Sequence, residues 1–293
     1  MLRMFLQQLT NGLTIGVIYA LIALGYTMVY GILKIVNFAH GDIFMIGSFL
    51  GLFFMQEFQL PLYLAFLLSA AVTAGIGMLI ERLAYRPLRL ADRIVPLISA
   101  LGVSTLLVSL AQKLWGTEMH PFPTTFGSQT YTFGSITFSE IQILILLLSF
   151  LLMLGLQLFV TRTKTGTAMR ATSMSLTNAA LMGINTNRMI SLAFAIGSSL
   201  AACAGIMVGI YYNAVYPTMG YMAGINAFTA AVLGGIGNIP GAMLGGVLLG
   251  LVETLGGAYI STQYKSVISF SILIIVLLIR PSGILGSKEI NKV

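Results

Sequence analysis

TRTKTGTAMRATSMSLTNAALMGINTNR, residues 161–188, is a polar segment set between two long apolar runs, 141–160 and 189–212. It is the one stretch that leaves the apolar phase for long enough to build a surface for a partner. Within it Leu176, Ala179, Ala180 and the Leu181/Met182 pair recur at helical spacing, which predicts a short amphipathic helix over roughly 173–182 with Gly183 as its C-terminal stop. A short helix on the surface of a membrane protein needs something to dock against.

The flanking runs are typical of the whole chain. Of 293 residues, 57% are hydrophobic and 8% charged, against roughly 25% charged in a soluble domain; mean hydropathy is +0.95. Apolar runs of about 20 residues recur from end to end, each able to cross roughly 30 Å of hydrocarbon as a helix. Backbone groups must be satisfied internally in lipid, and the runs lack the period-two alternation of barrel strands. The expected fold is therefore an all-α polytopic membrane protein of about eight transmembrane helices, forming one transmembrane domain over residues 1–293.

The formal charge of +7 is distributed as a topology signal rather than as a nucleic-acid surface. Arg82, Arg86, Arg89 and Arg93 fall in one loop, Arg162, Lys164, Arg170 and Arg188 in a second, and Arg280, Lys288 and Lys292 in the tail. The positive-inside rule places all three segments in the cytoplasm. Residues 1–8 carry only Arg3, and the apolar stretch 13–35 is longer than a signal-peptide core, so it is expected to remain as the first span. The single cysteine, Cys203, lies in an apolar run and reads as a packing residue.

Two places interrupt the apolar pattern. After the first span, about 12–30, comes VNFAHGD at 36–42, where Asn37, His40 and Asp42 cluster, Gly41 supplies backbone freedom and Asp42 is a candidate N-cap. This is either a capped cytoplasmic loop or a break within the membrane depth that lines a cavity. The run 43–55 that follows is short for a crossing. The second interruption is 234–241, GGIGNIPG, between two apolar segments of roughly 14 residues; Gly234, Gly235, Gly237, Asn238, Pro240 and Gly241 give it little propensity to stay helical. A re-entrant pair or two short spans fits it better than one kinked helix. Further spans are expected at about 60–80, from a first turn holding Pro96 to Trp115, and at about 141–160, 189–212 and 267–279. Residues 116–139, rich in Thr, Ser, Phe and Gly, read as an external loop with a small β-hairpin. If both early segments cross, the N-terminus is external; if one is re-entrant, it is cytoplasmic.

Chemistry-bearing groups are few. Glu253 is the one acid deep within a late apolar run, where a charge costs on the order of 3 kcal/mol, so a role in a pathway or in helix packing is expected. There is no GxxxxGK[ST] motif, the glycines at 234–241 lack the strand a dinucleotide site requires, and two separated histidines, His40 and His120, form no metal cluster. No cofactor, metal or catalytic constellation is expected. A transport path without coupling acids needs energy from outside, which returns attention to residues 161–188.

NGL at 11–13 with YALIALG at 19–25, VNFAHGD at 36–42, RPLR at 86–89, the block 227–246 and RPSGILG at 280–286 resemble the membrane permeases of branched-chain amino acid (LIV-type) ABC transporters, specifically the shorter of the two. The resemblance covers nearly the whole chain. It implies a bacterial inner-membrane importer made of this permease, a longer homologous permease as its heterodimer partner, two cytoplasmic ABC ATPases and an extracytoplasmic solute-binding protein. It also implies that residues around Arg170, Asn178, Ala179, Ala180, Met182 and Gly183 form the coupling helix that enters a groove on the ATPase. Permeases of this kind commonly carry an acid before the paired alanines, where this chain has Asn178, so docking there is expected through the apolar face of Ala179, Ala180 and Met182. The translocation path is expected along Asn37, His40, Gly41, Asp42, the 234–241 glycines and Glu253. The implied solute is leucine, isoleucine, valine or a related neutral amino acid, with urea or a short amide as the alternative within the class. A stand-alone channel or ion-coupled carrier is the alternative outside it.

Overall fold

The computed structural model describes residues 2–286 apart from 90, 93, 124–128 and 134–135; Arg93, Lys288 and Lys292, counted above among the cytoplasmic cations, lie outside the described residues. The helices are α1 (Leu2–Leu33), α2 (His40–Gln56), α3 (Leu62–Ile80), α4 (Ile94–Trp115), α5 (Glu140–Arg162), α6 (Lys164–Met174), α7 (Leu176–Leu181), α8 (Thr186–Tyr212), α9 (Met219–Gly234), α10 (Ile239–Tyr259) and α11 (Lys265–Ile279). A two-stranded hairpin, β1 (Thr130–Phe133) and β2 (Ile136–Ser139), precedes α5 and pairs antiparallel, Thr130 opposite Ser139. Among the described residues seven helices are long and apolar enough to cross a membrane. The protein is an all-α polytopic membrane protein, and both expected breaks are present, between α1 and α2 and between α9 and α10.

Burial separates centre from rim. In α1 and α8, 83% of the most apolar window is inside the protein, against 28% in α3 and α5 and 22% in α4. The central helices approach closely because their contact faces are small. Gly16 of α1 lies against α10, where an added methyl would stand 2.8 Å from the Val247 Cα, and Gly246 and Gly250 answer it from the α10 side against Ala20 and Gly16. Helices in lipid associate through packing of this kind, since apolar surface alone does not favour a helix neighbour over a lipid tail. Cys203 is buried in α8, as a packing residue should be.

The N-terminal end of α1 belongs with the hairpin: Gln7 Nε2 donates to the Thr137 carbonyl (2.9 Å) and Gln7 Oε1 accepts from the Thr137 amide (3.0 Å). The other end of the bundle carries residues 161–188. That segment folds as two helices, not one, because Ser175 leaves the helical region (φ −160, ψ 119) and its Oγ accepts from the Asn178 amide (3.2 Å), starting α7 afresh. Thr163 and Asn185 cap α6 and α8 likewise. Three polar residues with short side chains thus set three helix starts, as their preference for N-caps requires. The helix expected over 173–182 accordingly spans only Leu176–Leu181, and Gly183 follows with φ +81, the left-handed stop.

α2 and α9 are two short apolar helices of the bundle. With 17 and 16 residues they measure about 25 Å each, short of the roughly 30 Å core. Their N-termini meet inside the bundle: Gly41 packs against the backbone of Gly220 and Gly224. The His40 ring lies 4.6 Å from that of Tyr26, seven residues before the end of α1 and so about 10 Å in from it. Residues 34–39 therefore double back along α1 before α2 begins. From this meeting point α2 runs to the hairpin end, where Phe49 stacks on Trp115 at 4.8 Å, and α9 runs to the end bearing 161–188.

Candidate functional site

The first break brings its polar residues inside. Asn37, His40 and Asp42 are all buried. Asn37 Oδ1 accepts from the Tyr85 hydroxyl (2.7 Å), tying residues 34–39 to the π-helical turn Glu81–Tyr85 that continues α3. The expected N-cap at Asp42 is corrected: α2 starts at His40 after Ala39, which makes no side-chain cap, and Asp42 sits in the first turn, where a carboxylate still complements the partial positive charge of the helix start. Asp42, Tyr26, Ser104, Gly220 and Phe228 line a cavity of about 90 Å³ where the two short helices meet.

The second break sits elsewhere. Gly235 and Gly237 take φ +108 and +92, which L side chains rarely adopt, and Asn238 caps α10 by accepting from the Gly241 amide (3.0 Å), with Pro240 in the first turn. Gly234 packs on Gly241. The C-terminal strap closes over this turn: the amides of Ile284 and Leu285 donate to the carbonyls of Leu233 and Gly234 (2.8 and 3.0 Å), and Asn238 Nδ2 donates to the Leu285 carbonyl (2.7 Å). The 234–241 break is thus a strapped helical hairpin near the end bearing 161–188. The interruption that opens the second half of the bundle is 213–218, between α8 and α9. Asn213 adopts φ +49, Val215 pairs with His120, and the chain descends to Gly220 beside Gly41.

Above Gly220 this descent encloses a cavity of about 350 Å³ between α1, α8 and α9. Its walls are apolar, among them Ile18, Ile22, Phe44 and Met219, and they carry the half-buried Tyr19 and the buried Asn226. Both belong to a network around Glu253. The Tyr19 hydroxyl donates to Glu253 Oε1 (3.3 Å), Asn226 Nδ2 donates to the Tyr19 oxygen (2.9 Å) and to Glu253 Oε2 (3.4 Å), and the Ser269 hydroxyl donates to Oε2 (3.3 Å). Glu253 was legible as a lone acid in an apolar run. Asn226 carries the same signal, a lone amide in such a run.

At the far end, residues 161–188 present Met174, Leu181 and Met182 almost bare, at 88, 81 and 83% exposure. Arg170, Asn178, Ala180 and Gly183 are exposed with them. Ala179 is not: it is buried against the rest of the chain, so the expected docking face loses it and gains Leu181 and Met174. Nearby, Glu81 is buried at the end of α3 and bonded by the Arg89 guanidinium and by the Ser191 hydroxyl (2.6 Å), while Arg89 Nη1 donates to Asn187 (2.7 Å). Arg89 is therefore a partner of a buried acid rather than a free cation. In sequence Glu81 abuts the arginine loop and is indistinguishable from a solvated loop acid.

The architecture is that of a multi-pass membrane protein with a lined cavity inside the bundle and an exposed apolar platform at one end. The family model described as "Branched-chain amino acid transport system / permease component" matches residues 8–277, and the chain belongs to that family. It is 47% identical to the high-affinity branched-chain amino acid transport system permease protein BraD of Pseudomonas aeruginosa and 46% identical to LivH of Escherichia coli, in each case over 99% of this chain and 98% of the relative. In overall fold it is similar to PsaBC from Streptococcus pneumoniae in complex with Fab, with a TM-score of 0.53 at 12% identity, over 96% of this chain and 97% of that one.

Proposed function

We propose that this permease is one membrane subunit of an ATP-binding-cassette importer in the bacterial inner membrane and carries branched-chain or related neutral amino acids. The observation that carries the reading is the near full-length match to relatives named as high-affinity branched-chain amino acid permeases. Residues 161–188, within a single permease domain, act as the coupling segment: the exposed apolar cluster of Met174, Ala180, Leu181 and Met182 seats in a cytoplasmic ATPase, and closure of the ATPase pair on ATP moves α6 and α7. A longer homologous permease completes the pore, and an extracytoplasmic binding protein delivers solute at the hairpin end. The apolar walls of the 350 Å³ cavity favour an aliphatic side chain over urea or a short amide.

The path runs between the meeting point of α2 and α9, with Asn37, His40, Gly41 and Asp42, and the strapped turn 234–241, with Glu253 above. Asp42 and Glu253 need not carry protons, because the energy enters through α6 and α7. The test is uptake of leucine, isoleucine, valine and urea in a strain deleted for this chain and supplied with it alongside its neighbouring subunits. Restored leucine uptake that requires ATP and is lost with the ATPase is the expected result. Uptake by the purified chain alone, or restored uptake of urea only, overturns it.

A further inference from the structure

We propose that the cavity of about 350 Å³ is a binding pocket within the permease for a neutral amino acid with an aliphatic side chain, its ammonium group held by Asn226 and Tyr19. This rests on the reading of the chain as an amino-acid permease and adds to it a place where the solute pauses and two residues that recognise it.

The orientation of the Asn226 amide is set by its neighbours. Its Nδ2 faces the Glu253 carboxylate, which only accepts, and the Tyr19 oxygen, whose proton is directed to Glu253. The carbonyl Oδ1 must then point the other way, and although Asn226 is only 6% exposed, that oxygen has no partner. A buried acceptor without a donor is uncommon and costly. An ammonium is its natural complement: three N–H donors, no acceptor, and a positive charge drawn by the carboxylate behind. Among the described residues the one ion pair is Arg89 with Glu81; Lys265, whose side chain packs on Gly257 one turn beyond Glu253, forms none with it, and the carboxylate still attracts a ligand's ammonium. In this weakly polar setting the attraction is far stronger than in water.

The rest of the cavity suits the rest of the molecule. Ile18, Ile22, Phe44, Met219 and Met222 offer aliphatic and aromatic surface to a branched side chain, and Tyr212 and Tyr216, which also line the cavity, carry hydroxyl groups able to donate to a carboxylate. The volume falls in the range of small-ligand sites, roughly 300–1,000 Å³, with the usual composition of apolar walls and a few polar groups. Glu253 and Ser269 are positioning residues in this scheme, since they hold Asn226 and Tyr19 and do not line the cavity.

The test uses the assembled complex in lipid nanodiscs and a leucine analogue with a photoactivatable diazirine side chain. Labelled peptides should contain residues 15–22 or 219–226, and excess L-leucine, but not L-glutamate or urea, should suppress the labelling. Asn226→Leu should weaken it roughly ten-fold or more. Ala223→Phe, which fills the cavity and leaves the network around Glu253 in place, should do the same, so the proposal survives a failure of the first variant to assemble. Labelling of these peptides that leucine does not suppress, that is unchanged in the variants, or that is missing altogether overturns the pocket. ATP-driven leucine uptake is measured on the same complex: uptake without suppressible labelling refutes the pocket alone, and labelling without uptake refutes the importer reading alone.

Discussion

Removing the Arg89 side chain should destabilise the permease severely, and removing the Glu81 charge with it should repair most of the damage. Glu81 is 0% exposed at the end of α3, and its carboxylate is held by the Arg89 guanidinium and one hydroxyl, that of Ser191 at 2.6 Å. The Arg89 side chain is itself only 13% exposed, so solvent screens the pair little. In Arg89→Ala the carboxylate stays buried with a single donor, and α3 loses its bridge through Asn187 to the first turn of α8. Breaking a buried pair from one side costs about 3–5 kcal/mol. Adding Glu81→Gln discharges the orphan while its amide oxygen still accepts from Ser191, so the double variant should recover more than about 1 kcal/mol relative to Arg89→Ala. The assay is reversible unfolding by SDS from mixed micelles, run on wild type, both single variants and the double. If Arg89→Ala unfolds within about 1 kcal/mol of wild type, or the double variant is no more stable than Arg89→Ala, Glu81 is not a buried charge that depends on Arg89.

Ala180→Arg places charge and bulk on the exposed face of α7 and should abolish uptake while the amount of protein in the membrane stays unchanged; normal uptake would remove the coupling assignment. Gly237→Leu forces a side chain onto a backbone at φ +92, a strain of about 1–3 kcal/mol, and should lower both stability and leucine uptake, with wild-type rates counting against any role for this turn. Asn238→Ala removes the cap of α10 and the anchor of the C-terminal strap together. It should cost about 1–2 kcal/mol and speed hydrogen exchange at the Ile284 and Leu285 amides, whose protection would be unaltered if the strap held by other means.

Hydropathy alone was enough to find the membrane-spanning helices, the polar excursion at 161–188 and both gaps, because length and apolarity are properties of each segment separately. Asn37, His40 and Asp42 stood out as polar residues in the wrong phase, and so did Glu253. Partners were invisible. In a bundle where helices are apolar all round, no amphipathic stripe marks the face that turns inward, and close approach is set by where glycines happen to oppose one another, as Gly16 and Gly41 do. That is why the meeting of α2 and α9 could not be anticipated. It is also why Tyr19, Asn226 and Glu253 became one network only in three dimensions: Tyr19 is 207 residues from Asn226 and 234 from Glu253, and only the antiparallel packing of α10 on α1 brings the hydroxyl to the carboxylate.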